Sequence, residues 1–213
     1  GDTDKVVHGR GTIGSRSMMA AGSALFGAAD RIIERGKQIA AHLLEASELD
    51  IEFFKGEFCG EFRVAGTDKS IDIETLAKRS YVPGALPDGE ALGLAAQLVT
   101  RPGDATFPNG CHIAEVEIDP ETGVTTLLRY NVVDDVGTVI NPLLLKGQIH
   151  GGVAQGFGQV FGENVLYKKG QILTASFMDY PMPRADDLSN LLVSSNPLPT
   201  ATNPLGVKGV GET

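Results

Sequence analysis

Cysteine is scarce: Cys59 and Cys111 are the only two in 213 residues. Two thiols make no disulfide framework, so a reducing, cytoplasmic setting is the simpler expectation. They are also too few to hold an iron–sulfur cluster within this chain. No apolar run approaches the roughly 18 residues of a membrane-spanning helix, and no signal-peptide pattern opens the chain. Positive charge is outnumbered, with 18 Lys and Arg against 27 Asp and Glu, a net charge of −9. That disfavours nucleic acid and anionic membrane surfaces, which both demand clustered basic residues. Internal repeats are lacking. The histidines (His8, His42, His112 and His150) show no metal-ligand spacing, so no protein metal ligand is expected. No Ser/His/Asp order suggests a hydrolase.

What is present fits a globular chain. Hydrophobic residues make up 42%, enough to bury a core, and charged residues only 21%, too few for disorder. One large domain over residues 1–213 is expected, of α+β class, with helices and β-hairpins mixed along the chain. From Ser17 to about Glu45, Met18, Ala21, Leu25, Ala28, Ile32, Ile39 and Leu43 recur at helical steps, which predicts a long amphipathic helix. Two short strands are predicted over 50–65, then a short helix capped by Ser70. Residues 111–118 alternate, with Ala114, Val116 and Ile118 on one face, and the Asp119–Gly123 turn returns the chain through a second strand at 124–133. A further hairpin is predicted around Lys169-Gly170. Between the hairpins, Asn141 caps a helix with Pro142 at its first position, running to about Gly162.

Three segments carry chemistry. The first is Gly9-Arg10-Gly11-Thr12-Ile13-Gly14-Ser15-Arg16-Ser17, a glycine-rich loop leading into a helix. Such a loop offers backbone N–H groups, hydroxyls and a guanidinium to an anion or a polar ring edge. Its glycines spell G-x-G-x-x-G, but a dinucleotide-binding reading needs a buried strand before the motif, and only Val6 and Val7 are apolar there. A helix-capping loop without a ligand is the bland alternative.

The second is the 141–159 helix, with Gly147, Gly151, Gly152, Gly156 and Gly158 inside it. Five glycines cost roughly 4–5 kcal/mol of helix propensity against alanine. A stripe of Gly147, Gly151, Ala154, Gly158 and Gly162 is therefore expected to admit a close backbone or a flat cofactor, with Gln148, Gln155 and Gln159 beside it to read a heterocycle edge. Tight helix packing alone is the alternative. The third segment is Asn203–Thr213, a glycine-rich loop in which Glu212 stands where a phosphate-binding loop has lysine. A carboxylate there excludes phosphate binding of the NTPase kind and suits a general base.

Taken together and in this order, these segments resemble the molybdenum-binding subunit of the molybdenum hydroxylases, the xanthine dehydrogenase family that includes aldehyde oxidases and aerobic carbon monoxide dehydrogenases. The resemblance covers essentially the whole chain. It rests on Gly1–Asp4, Gly11–Ser17, Glu115–Gly123, Asp135–Pro142, Gly147–Gly152 and Gly206–Glu212. It implies the C-terminal part of a molybdopterin-binding domain, a fragment of a longer, bacterial-type subunit.

The implied cofactor is molybdopterin with molybdenum, as its cytosine dinucleotide. Gly14, Ser15, Arg16, Ser17 and Gln148 would contact it, together with Lys208, Gly209, Val210 and Gly211 of the last loop. Glu212 would be the base. The substrate would be an aldehyde, a xanthine-like N-heterocycle or CO, with water as the oxygen source. Electrons would leave through [2Fe–2S] clusters to FAD on partner subunits or domains, in an oligomeric cytoplasmic enzyme. The isolated chain would be inactive. A reading from another class is an assembly or interaction domain that keeps the family fold without catalysis.

Overall fold

A computed structural model describes residues 2, 4–6, 8–9, 11–57, 59–87, 89–101 and 103–212. Of the residues singled out above, Gly1, Thr3, Val7, Arg10 and Thr213 lie outside these. The chain forms two compact units, one of residues 23–100 and one of 1–22 with 101–213. Helices and separate small sheets make it an α+β protein.

In the 23–100 unit, α1 (Ser23–Leu44) precedes the antiparallel strands β1 (Ile51–Lys55), β2 (Gly60–Val64) and β3 (Ser70–Asp72), and then α2 (Ile73–Arg79). The core is Ile39, Ala40, Ile51, Phe62, Val64 and Leu76. Phe62 is fully buried because Gly36 of α1 leaves room for its ring. The expected amphipathic face is only half right. Ile39 is buried, but Leu25 is 73% exposed, and Met18–Gly22, within the other unit, is π-helical. The α2 cap also differs from expectation: the Asp72 carboxylate accepts the Thr75 N–H at 2.8 Å, while Ser70 pairs with Arg63 in the sheet. The loop after α2 is strapped to α1 by Arg31 on the Gln97 carbonyl and Arg35 on the Gly93 carbonyl.

The other unit is built on β4 (Asn109–Ile118) and β5 (Thr125–Asp135), an antiparallel hairpin as expected, and α3 (Pro142–Phe161). Asn141 Oδ1 accepts from the N–H groups of Leu143 and Leu144, so the predicted cap and N-terminal proline hold. The second hairpin is β6 (Tyr167–Lys168) and β7 (Gln171–Ile172), its turn made by Lys169 and Gly170 with positive φ. Like β3, which stands where a helix was expected to begin, β8 (Leu191–Ser195) lies beyond the sequence reading; it adds to β5 in parallel. Val132, Ile149 and Val153 form the core between sheet and helix, with Tyr130, Leu145, Leu191 and Val210 around it.

Candidate functional site

The first glycine loop, α3 and the last loop meet within the unit of residues 1–22 and 101–213. Ser15, in the left-handed region at φ 53°, donates its Oγ hydrogen to the Val210 carbonyl at 2.9 Å. A Cβ on Gly209 would touch Ser15 Cβ at 3.3 Å. On the other side, Gly211 lies against α3: a Cβ there would sit 3.2 Å from the Gln148 carbonyl oxygen, and one on Gly152 would sit 2.6 Å from the Gly211 carbonyl oxygen. Residues 15, 148 and 209–211, far apart in sequence, thus form one cluster, and Glu212 follows it, exposed.

Within the cluster many polar groups hold one another. Arg16 donates to the Gly11 carbonyl through Nη2 at 3.0 Å, and Ser17 shares a hydrogen bond with Thr12. Gln148 is exposed, and beside it Gly147 and Gly151 face open space. The Nε2 atom of His150 is buried without a hydrogen-bond partner among the described residues.

These features fit a bound pterin. The Ser15 hydroxyl and the Gln148 residue flank the 209–211 segment beside an open glycine-lined surface, and hydroxyl and amide groups are the kind that a heterocycle edge engages. The glycine stripe divides, however. Gly147 and Gly151 meet nothing within 4 Å, a Cβ on Gly162 would sit 3.1 Å from the Pro181 carbonyl oxygen, and the tightest backbone approach in α3 falls on Gly152, outside the expected stripe. Gly158 packs against Glu163 and Pro183, and Gly162 against Pro181.

Lys208 sits differently from a free cofactor ligand. Its ammonium donates to Asp135 Oδ2, with both side chains 11% exposed. Asp135 Oδ1 accepts the N–H groups of Gly137 and Leu198, each at 2.9 Å. Burial raises the Asp135 carboxyl, but the Lys208 hydrogen bond, the two N–H donors and the Lys208 charge outweigh it and hold the group at about 2. Asp135 thereby shapes the turn after β5, through the Gly137 N–H.

A groove of about 470 Å³ runs between the hairpin and α3 and reaches Gly211. Its walls are largely apolar, from Val116 and Leu127 across to Val153, Phe157 and Val160, with His112, Tyr130 and Asp134 as the polar part of the lining. A β-bulge at Glu115/Val116 adds a residue to β5, which is how Leu127 and Tyr130, an odd number apart, come to face the same groove. His112 of β4 reaches two polar groups of β5. Its Nε2 lies 3.1 Å from the buried Asp134 carboxylate and its Nδ1 3.2 Å from the Tyr130 hydroxyl. Burial, and then the Asp134 charge, raises the Tyr130 phenol above its ordinary range. No sequence signal joined His112, Tyr130 and Asp134, because pairing across two strands sets their contact.

Among the described residues no group of three or more His, Cys, Asp or Glu is placed to hold a metal ion, and no helix is long and apolar enough to cross a membrane.

The profile of the molybdopterin cofactor-binding domain family matches residues 1–189. The chain is 37% identical over 214 residues to the carbon monoxide dehydrogenase large chain of Afipia carboxidovorans, covering 100% of this chain and 26% of that one. It is 36% identical to the gamma subunit of the 6-hydroxypseudooxynicotine dehydrogenase complex of Paenarthrobacter nicotinovorans, covering 99% and 26%. Among solved structures, quinoline 2-oxidoreductase from Pseudomonas putida 86 superposes with a TM-score of 0.83 at 35% identity, over 99% of this chain and 27% of that one. The chain thus spans about a quarter of the length of these relatives.

Proposed function

The chain belongs to the molybdopterin cofactor-binding family, the molybdenum-binding subunits of the molybdenum hydroxylases, and from that premise we propose that residues 1–213 form the C-terminal part of the cofactor domain of such an oxidoreductase. Gly14, Ser15, Arg16, Ser17 and Gln148 hold the pterin, as its cytosine dinucleotide. Gly209, Val210 and Gly211 shape the wall from which Glu212 faces the substrate. The observation that carries this reading is the meeting of Ser15, Gln148 and Gly209–Gly211 around an open, glycine-lined surface.

When bound, the cofactor supplies a molybdenum centre that takes two electrons from the substrate as oxygen from water is added. Glu212 accepts the proton that this oxygen gives up as it bonds to an electron-poor carbon. Gly209 and Gly211 let the chain bend tightly enough to bring that carboxylate forward, and the Ser15–Val210 hydrogen bond fixes the bend. The substrate is a small molecule: the aligned relatives are named for carbon monoxide, 6-hydroxypseudooxynicotine and quinoline, and an aldehyde or N-heterocycle suits the same chemistry. Partner subunits or domains carrying [2Fe–2S] clusters and FAD would supply the route by which electrons leave, in an assembled cytoplasmic enzyme. The apolar groove between the hairpin and α3 suits burial by the remainder of the subunit.

Glu212→Gln in the full enzyme tests this. It keeps size and hydrogen bonding but removes the proton acceptor. Cofactor content stays normal, and reduction of molybdenum by substrate slows at least about 10²–10⁴-fold, the usual worth of a positioned acid–base group. Reoxidation through FAD is unchanged. A fully loaded variant that is reduced at the parent rate removes Glu212 from the mechanism.

A further inference from the structure

We infer that Asp135 is a positioning residue, whose carboxylate, acting through Lys208, sets the loop that presents Glu212. The inference rests on the proposed role of Glu212, but its geometry stands independently.

Asp135 closes β5, and one carboxylate there joins three stretches of chain. Oδ1 takes the N–H of Gly137, in the turn after β5, and that of Leu198, in the run after β8. Oδ2 takes the Lys208 ammonium of the last loop. Around this pair the backbone repeats the connection. Lys208 N–H donates to the Val136 carbonyl at 2.8 Å, Thr138 N–H donates to the Gly206 carbonyl at 2.9 Å, and Gly137 pairs with Val207 in an isolated antiparallel bridge. Gly137 must be glycine at this crossing: its φ is +67°, and a Cβ would lie 2.3 Å from the Gly206 oxygen.

Lys208 is thus the last residue held by an ion pair before Gly209-Val210-Gly211-Glu212. Beyond it, two glycines give the backbone wide freedom, and the Ser15–Val210 hydrogen bond is the next restraint. Loss of the Asp135–Lys208 pair would release the root of the segment and let the Glu212 carboxylate wander, and a displacement of about 1 Å from a productive geometry can cost on the order of 10²-fold in rate. The same pairing takes the Lys208 charge away from an incoming phosphate. Lys208 therefore acts on the site by holding the loop, and not as a ligand of the cofactor.

Removal of one partner leaves the other charge buried and can unfold the protein, so the test pairs Asp135→Asn with the double variant Asp135→Asn/Lys208→Met, which removes both charges. In the full enzyme the double variant is expected to keep normal molybdenum content and nearly normal KM, while its rate of reduction at saturating substrate falls by about 10²-fold. Amides of Gly209–Gly211 are expected to exchange hydrogen faster than in the parent. A loaded double variant with parent rate and parent exchange overturns the proposal, as does a loss of rate that follows loss of molybdenum. If Glu212→Gln is itself reduced at the parent rate, the base assignment fails, and the exchange rates alone then decide: acceleration upholds the Asp135 lock and unchanged exchange refutes it.

Discussion

Neighbouring residues of one type can have opposite roles. Gly151 and Gly152 are adjacent in α3 and indistinguishable by composition. A methyl group on Gly151 would meet nothing within 4 Å, whereas on Gly152 it would press into the Gly211 carbonyl at 2.6 Å. Backbone cannot yield as a flexible side chain does. In this chain Gly152→Ala is therefore expected to destabilise by about 1–3 kcal/mol, as overpacking does. Gly151→Ala is expected to stabilise by up to about 1 kcal/mol, from helix propensity alone. Denaturant unfolding of the two variants checks both signs, and equal behaviour would remove the close contact from the account. Spacing at three and four residues placed Gly151 on the critical stripe. It identifies residues that share a face, but not the face against which another backbone lies. The Asp135–Lys208 pair was hidden for a related reason: its members are 73 residues apart, and the resemblance pointed Lys208 at the cofactor and not at Asp135.

At the scale of elements, local chemistry explains most of the boundaries. Asn141 and Pro142 start α3 because the amide oxygen satisfies two otherwise free N–H groups and proline has none to satisfy. Asn141→Ala is expected to cost about 1 kcal/mol, with the effect concentrated in the first turn, so amide exchange at Leu143 and Leu144 should quicken more than at Val153. Uniform acceleration along α3 would show that the cap is not what holds the start. The β4–β5 and β6–β7 hairpins were equally legible, since alternation and a turn lie close together in sequence. The cap of α2 was misplaced by two residues because Ser70 and Asp72 are both good capping types, and sheet pairing with Arg63 claims the former. β8 was not legible: a five-residue strand in parallel pairing depends on a partner about 60 residues away.

For the whole molecule, the extent of the chain governs what it can bind. It spans about a quarter of its relatives, and in this chain the surface at Gly147 and Gly151 is open. Pockets for ligands of this size commonly enclose about 70–90% of the ligand. The purified 213-residue chain is therefore expected to hold no stoichiometric molybdenum, by elemental analysis. Recovery of about one molybdenum per chain would show that these residues enclose the cofactor unaided. The apolar groove has the same bearing, since Phe157 and Val160 line it where the proposed remainder of the subunit would cover them.

The family, the α+β class, both hairpins, the α3 cap and the three glycine-rich segments are legible in the amino-acid order alone, because each is written in residues close together or in a collinear pattern. Only the tertiary structure decided that Gly152, and not Gly151, takes the close contact, that Lys208 is bound to Asp135, and that His112 joins Asp134 and Tyr130. These depend on which surfaces come within a few ångströms after the chain has folded, and residue type and spacing along the chain do not encode that distance.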